Sequence, residues 1–261
     1  MPPVLIFIFL LLPGAVQAGA KNRNWAENPV GFATARKHIY KMYHERGWHR
    51  SFYCDCQFNP ATHAAAPYSC GFRDPKFAAD PTRPFSALAE VVQMEHVVPA
   101  SVFGPRGLSL NTSFATCQDK KNRRGCYERV SKEFKRMHSN PYNLVPVLGA
   151  LNNYRQDLVM GPVEGETKGF GECDFEVDRN HKRVEPRPQV RGDVARIYFY
   201  MEKTYPEAPI IDPNMRYFYK LWSQQDPVDR AECLRAAEIE ARTGMVNGVI
   251  QADCKQLVGG K

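Results

Sequence analysis

A chain of 261 residues that is 43% hydrophobic holds enough apolar material for a buried core, which excludes a globally disordered protein. A formal charge of +7 and a pI near 9.0 suit a polyanionic partner such as nucleic acid, or an anionic surface, rather than a basic one. Beyond the N-terminal run, no segment is apolar for long enough to cross a bilayer.

The N-terminus stands apart. Residues 1–20 carry no charged side chain, Val4 to Leu12 are all apolar, and Pro13-Gly14 breaks any helix. Val16-Gln17-Ala18 then supplies small residues where a signal peptidase cuts, so residues 1–18 read as a secretory signal and 19–261 as the mature unit. No Lys or Arg precedes the apolar run, which leaves an uncleaved anchor as the alternative. Eight cysteines follow, at 54, 56, 70, 117, 126, 173, 233 and 254. An even count behind an export signal reads as a disulfide set, although eight allow about 105 pairings. Cys54-Asp55-Cys56 leaves one residue between thiols, a poor match to zinc knuckles.

Along the chain, Phe32, Ala35, Ile39, Met42 and Tyr43 recur at the spacing of one helical face. Residues 51–58 alternate like a strand, and 60–84 are rich in Pro, Ala and Asp, an irregular stretch at which a two-domain split remains open. Residues 88–98 are Val-rich and predict a strand that turns at Pro99. Residues 117–126 read as a polar, basic loop, 143–147 as a short apolar stretch, and 148–157 as the start of a helix. In the last third, Val194, Ile197, Tyr198 and Met201 mark a helix over 190–205. Asn214 is placed to cap a helix running through Trp222. Asp226-Pro227 predicts the next helix start, with Asp229 in its first turn and an end near Gly244. Strands mixed irregularly with helices predict an α+β fold in a single domain.

Three stretches carry chemistry. Glu95 and His96 set a carboxylate beside an imidazole at the end of an apolar run. Strand neighbours point to opposite faces, so a bend or bulge is needed for both to line one site. A carboxylate suits Mg²⁺ and a near-neutral histidine suits a general base, but alone such a pair is more often a surface pair or a satisfied core histidine. Asn152 offers a neutral oxygen ligand and Arg155 follows three residues on; the plain alternatives are a helix cap and a solvated cation. Lys120, Lys121, Arg123 and Arg124 crowd between Cys117 and Cys126, as a phosphate-binding loop or a solvated charge run. His38, His44, His49, His63, His138 and His181 carry no ligand pattern, and Tyr198, Phe199 and Tyr200 read as core.

Taken together, these stretches resemble a known family. Phe52-Tyr53-Cys54-Asp55-Cys56, Glu95-His96-Val97-Val98-Pro99-Ala100, the Cys117/Cys126 basic loop and Asn143-Leu144-Val145-Pro146 followed by Asn152 occur in the order seen in the bacterial endonuclease I family. Arg191-Gly192, Ala195-Arg196, Tyr200-Met201 and Pro227-Val228-Asp229 leading to Cys233 extend the likeness, which spans roughly residues 35 to 254. The family comprises periplasmic or extracellular non-specific nucleases of the ββα-metal (His-Me finger) class.

The resemblance implies a ββα unit with Glu95 and Asn152 as ligands to one divalent metal, most readily Mg²⁺, with Mn²⁺ or Ca²⁺ as alternatives. It implies His96 as the general base activating water and Arg123 as the residue holding the scissile phosphate, with Asn143, Arg155 and Arg124 in supporting places. The implied substrates are DNA and RNA, gripped by their backbone and cut to 5′-phosphate ends with little sequence preference. A monomer, free of the membrane after signal cleavage, in the periplasm or medium, is expected. The expected bridges are Cys117–Cys126, Cys233–Cys254, Cys56–Cys70 and Cys54–Cys173. The chain departs from the family at Met94, where Trp is frequent, at Asn140-Pro141-Tyr142 before Asn143, where Asp-Leu-His is frequent, and at Asn153-Tyr154, where Gly-Asp is usual. These changes spare the ligand and base positions and bear on their orientation.

Overall fold

A computed structural model describes residues 24–77, 86–104, 115–117, 122–165 and 169–259. The signal at 1–18 and residues 118–121 of the basic loop lie outside the described residues. Helix α1, Phe32–Arg46, buries Ala35, Ile39, Met42 and Tyr43 as their spacing predicts, and stops at Gly47, whose φ of 65° is the left-handed conformation glycine adopts freely. The expected strand over 51–58 shrinks to β1, Gln57–Phe58, paired with β2, Ala65–Ala66; turns replace the rest.

The centre of the molecule is an antiparallel pair. Strand β3, Val92–His96, runs against β4, Leu144–Leu148, in unbroken register from Val92↔Leu148 to His96↔Leu144. Between them the chain forms α2, Arg123–Val130, which begins inside the 117–126 stretch expected as a loop, and α3, Lys132–His138. All five residues of β4 are buried. The strand passes directly into α4, Gly149–Arg155, whose first residue donates its N–H to Val91 O at 2.9 Å. A Cβ on Gly149 would stand 2.8 Å from Leu88 O, so the close approach of α4 to the turn before β3 needs glycine.

A second sheet, absent from the sequence reading, joins β5, Val159–Met160, β6, Phe175–Asp178, and β7, Arg183–Pro186, in the order β5-β7-β6. Helix α5, Arg191–Thr204, packs on α6, Arg216–Gln225. The cap before α6 is Asp212, which accepts from Asn214 N, rather than Asn214 itself. Helix α7, Arg230–Thr243, starts later than Asp226-Pro227 predicts: Asp229 is its cap and accepts from Glu232 N at 2.7 Å, and Gly244 ends it as expected. Helix α8, Gln251–Val258, closes the described chain.

One apolar cluster runs from Trp25 through Val147 and Tyr198 to Met245, drawing on residues from both sides of 60–84, which is compatible with a single domain of mixed helix and sheet. All eight cysteines pair, as Cys54–Cys173, Cys56–Cys70, Cys117–Cys126 and Cys233–Cys254, which leaves no thiolate for zinc. Cys117–Cys126 ties α2 to the segment before it, and Cys233–Cys254 ties α7 to α8. No helix among the described residues is long and apolar enough to cross a membrane.

Candidate active site

Glu95 and His96 sit at the end of β3, where the ladder continues through His96 without a bulge. The two side chains therefore face different surroundings, and the bend comes only afterwards, at Val97-Val98. Glu95 is 4% exposed and turns toward α4, where Arg155 Nη1 donates to its Oε1 at 2.6 Å. Its Oε2 turns back and accepts from His96 N at 3.2 Å. Burial raises the Glu95 carboxyl above its ordinary range, against the opposing pull of Arg155. Tyr53, fully buried, lies against this pair, and burial together with the Glu95 charge pushes its phenol up.

His96 faces the other way. Its Nε2 lies 2.8 Å from the carbonyl oxygen of His138. A carbonyl only accepts, so Nε2 carries the proton and Nδ1 keeps the free lone pair. The ring lies nearly parallel to that of His138, 5° apart with centroids 4.7 Å away, and stacks on Phe32 at 5.0 Å. Burial, then the neighbouring His138, hold its pKa well below the usual histidine value. The imidazole is thus neutral, of fixed tautomer and clamped.

Asn152 lies half-buried on α4 and donates Nδ2 to Gln93 Oε1 at 3.0 Å, which orients the amide from β3. Its Oδ1 has no hydrogen-bond partner among the described residues. Glu95 and Asn152 thus occupy adjoining elements, joined through Arg155 of the same helix. Among the described residues no three His, Cys, Asp or Glu side chains converge as a ready-made metal cage.

Asn143 is fully buried and brackets one residue: its Oδ1 accepts from Val98 N at 2.7 Å and its Nδ2 donates to Val98 O at 3.0 Å. Arg155, expected either beside the site or in solvent, is 1% exposed and donates to Glu95, His96 O, Val97 O and Leu158 O. Arg123 and Arg124 open α2 and are exposed. Arg124 is the one whose charge is felt at both Glu95 and His96. The departures from the family pattern have structural roles: Met94 is buried on β3, Tyr142 OH donates to Met245 O at 2.9 Å, and Tyr154 OH donates to Asp74 Oδ1 at 2.9 Å.

His138, read from the sequence as uninvolved, walls one side of His96, and Glu128 of α2 holds it through Nδ1 at 2.7 Å. Nothing in residue spacing signals this, since the partners come from three helices. A cavity of about 450 Å³ lined by Trp48, Phe52, Ile197 and Leu234 includes none of Glu95, His96, Asn152 or Arg155.

The family model described as Endonuclease I matches residues 34–254. The chain is 32% identical to Endonuclease-1 of Buchnera aphidicola subsp. Acyrthosiphon pisum over 206 residues, covering 78% of this chain and 74% of the relative. It is 30% identical to an extracellular deoxyribonuclease of Aeromonas hydrophila, covering 88% and 92%, and 29% identical to a periplasmic deoxyribonuclease of the same species, covering 88% and 89%. The chain belongs to the endonuclease I family.

Proposed function

We propose that this endonuclease is exported to the periplasm or medium and hydrolyses phosphodiester bonds of DNA, and also of RNA, with one divalent metal and His96 as general base. The observation that carries the reading is the His96 ring. An imidazole with Nε2–H fixed on a carbonyl leaves the Nδ1 lone pair free to accept a proton from water. The curated relatives named as deoxyribonucleases support DNA as substrate and export as destination.

The donor set fits a hard cation. Glu95 and Asn152 provide oxygen ligands from β3 and α4, and the β3–β4–α4 succession has the order of a ββα-metal unit. Glu95 and Asn152 would hold the ion, with Arg155 offsetting part of the Glu95 charge. Mg²⁺, which keeps several waters and prefers phosphate oxygens, suits such a site best. When bound, the ion offsets charge on the phosphate and on the leaving 3′-oxygen.

The chain's own residues do the rest. His96 Nδ1 accepts the water proton while the His138 carbonyl holds the opposite nitrogen. Arg123, with Arg124 beside it on α2, takes the non-bridging phosphate oxygens; the water oxygen bonds to phosphorus as the bond to the 3′-oxygen breaks, leaving a 5′-phosphate and a 3′-oxygen that takes a proton from solvent. Contact through the backbone alone makes cutting indifferent to sequence.

The test is supercoiled plasmid and single-stranded RNA incubated with oxidised mature protein, in Mg²⁺ or EDTA, beside His96→Ala. Cutting that needs the ion and collapses in the variant is expected. Binding without cutting in every condition would sink the enzymatic mechanism, and undiminished cutting by the variant would remove His96 as base. Separate Arg123→Ala and Arg124→Ala variants assign the phosphate contact.

A further inference from the structure

The surroundings of His96 converge on a single oxygen. Glu128 Oε1 accepts from the Phe32 backbone N–H at 2.7 Å and meets His138 Nδ1 at 2.7 Å. Phe32 and His138 are the two rings stacked on His96, at 5.0 and 4.7 Å. They are also 4.9 Å from each other. One carboxylate on α2 therefore fixes both aromatic walls of the proposed base, one from the start of α1 and one from the end of α3.

The His138 Nε2 is buried and lacks a hydrogen-bond partner among the described residues, so among them the Glu128 bond is the one hydrogen bond orienting that imidazole. Phe134 packs on its far side at 5.0 Å, which confines the ring without setting its rotation. The backbone carbonyl of this same residue accepts from His96 Nε2–H. Loosening the His138 side chain thus loosens the acceptor that sets the His96 tautomer. Glu128 is itself half-buried, and a Cβ on Gly31 would stand 3.1 Å from its Oε2, so the carboxylate is fitted closely to the start of α1.

We propose that Glu128 and His138 are positioning residues: Glu128 clamps the two rings that pack against His96 and so keeps its Nδ1 aimed for the reaction. The inference rests on the reading of His96 as base. It adds a coupling, because the helix that carries Glu128 also begins with Arg123 and Arg124 and is bridged by Cys126 to Cys117. The phosphate-gripping end and the base-setting end are one rigid piece.

The test uses Glu128→Ala, Glu128→Gln and His138→Phe in the oxidised, full mature protein, with folding checked by thermal unfolding. Gln keeps an acceptor for Phe32 N–H and for the N–H of His138; Phe keeps a ring in the stack but loses the tether. Plasmid cleavage in Mg²⁺ should show kcat reduced on the order of ten- to hundredfold in the Ala and Phe variants, with KM little changed and Gln recovering most of the rate. Side-chain ¹⁵N spectra of the metal-free protein should show His96 wholly as the Nε2–H tautomer in the wild type and as a mixture in Glu128→Ala. Should that variant fail to fold, His138→Phe carries the same expectation. An unaltered His96 tautomer, or a loss of rate matched by KM, in a folded variant would overturn the proposal. The tautomer is read without substrate, so a wild type that cuts nothing defeats the nuclease reading alone and leaves the positioning to be judged by the spectra.

Discussion

Arg155 and Glu95 form an ion pair of 2.6 Å in which both side chains are almost wholly removed from water. The guanidinium also collects His96 O at 2.5 Å, Val97 O at 2.6 Å and Leu158 O at 2.9 Å, so one side chain ties the end of β3 to the end of α4. Its planar fork meets oxygens in several directions at once, which a lysine ammonium on a single stem does not reproduce.

Removing the cation leaves a buried carboxylate and three carbonyls unpaired. Arg155→Met is therefore expected to cost about 3–5 kcal/mol. Arg155→Lys should recover little of it, whereas Glu95→Gln in the Arg155→Met background should recover part. Urea unfolding at neutral pH measures all three. A loss well under one kcal/mol for Arg155→Met would show that the pair is not the brace described.

Asn143 makes a second prediction. Its amide meets both backbone groups of Val98 and holds the bend just beyond His96. Asn143→Ala strands a buried N–H and a buried C=O, at about 1–3 kcal/mol for each group. Asn143→Asp keeps the acceptor for Val98 N but faces Val98 O with a second acceptor, so it should be destabilised as well. Equal stability of wild type and both variants in thermal unfolding would contradict this account.

The contrast between these residues and the helices around them shows what the sequence made legible. Strand β3 and helix α4 were readable because an apolar run ends in a special residue pair and another passes through glycine into a helical pattern, whereas β4 read only as a short apolar stretch. Glu95, His96 and Asn152 were named through the family likeness, which no single stretch would have supported. Helix α2 was not readable, since it buries no residue fully and begins among cations; its disulfide and the Glu128 contacts to α1 and α3 hold it in place. The β5-β7-β6 sheet was hidden because its strands are two to four residues long and place Glu176 and Glu185 inside, where an alternating pattern would show apolar residues. Glu128 and His138 were invisible as site residues because their link to His96 exists only in the folded arrangement, with His138 and His96 42 residues apart.

The helix starts in the last third show the same limit and yield a third prediction. Asp226-Pro227 has the pattern of a cap, yet Asp226 Oδ2 accepts from Gly192 N at 2.8 Å and so satisfies the start of α5, a different helix. Asp229 caps α7. Asp229→Ala should cost about 1 kcal/mol. Its effect in hydrogen exchange should fall on the first turn of α7. Asp226→Ala should instead speed exchange at Gly192 and leave the first turn of α7 protected; the reverse pattern would mean the caps are misassigned.

The last prediction concerns acid–base behaviour away from the site. Glu176 and Glu185 stand directly opposite each other in the β6–β7 ladder, and Glu176 is 6% exposed. Arg191 pairs with Glu185 Oε1 at 2.9 Å, and Val163 N donates to its Oε2 at 2.6 Å. Glu176 Oε2 is buried and has no hydrogen-bond partner among the described residues. Burial, then Asp174 and Glu185, push its carboxyl from 4.5 up to about 8, with Arg191 opposing. A raised folded-state pKa means that the folded protein keeps a proton that the unfolded chain releases. The contribution of this group is therefore fully present below about pH 4.5 and falls as pH rises to about 8. The limiting slope is roughly 1.4 kcal/mol per pH unit. Glu176→Gln mimics the protonated form, so wild type and variant should be nearly equally stable at low pH, and the variant should be the more stable above neutrality by a margin that grows up to about pH 8. Denaturant unfolding of both proteins across that range measures the difference directly. A constant offset at every pH would mean that Glu176 is ionised in the folded protein throughout.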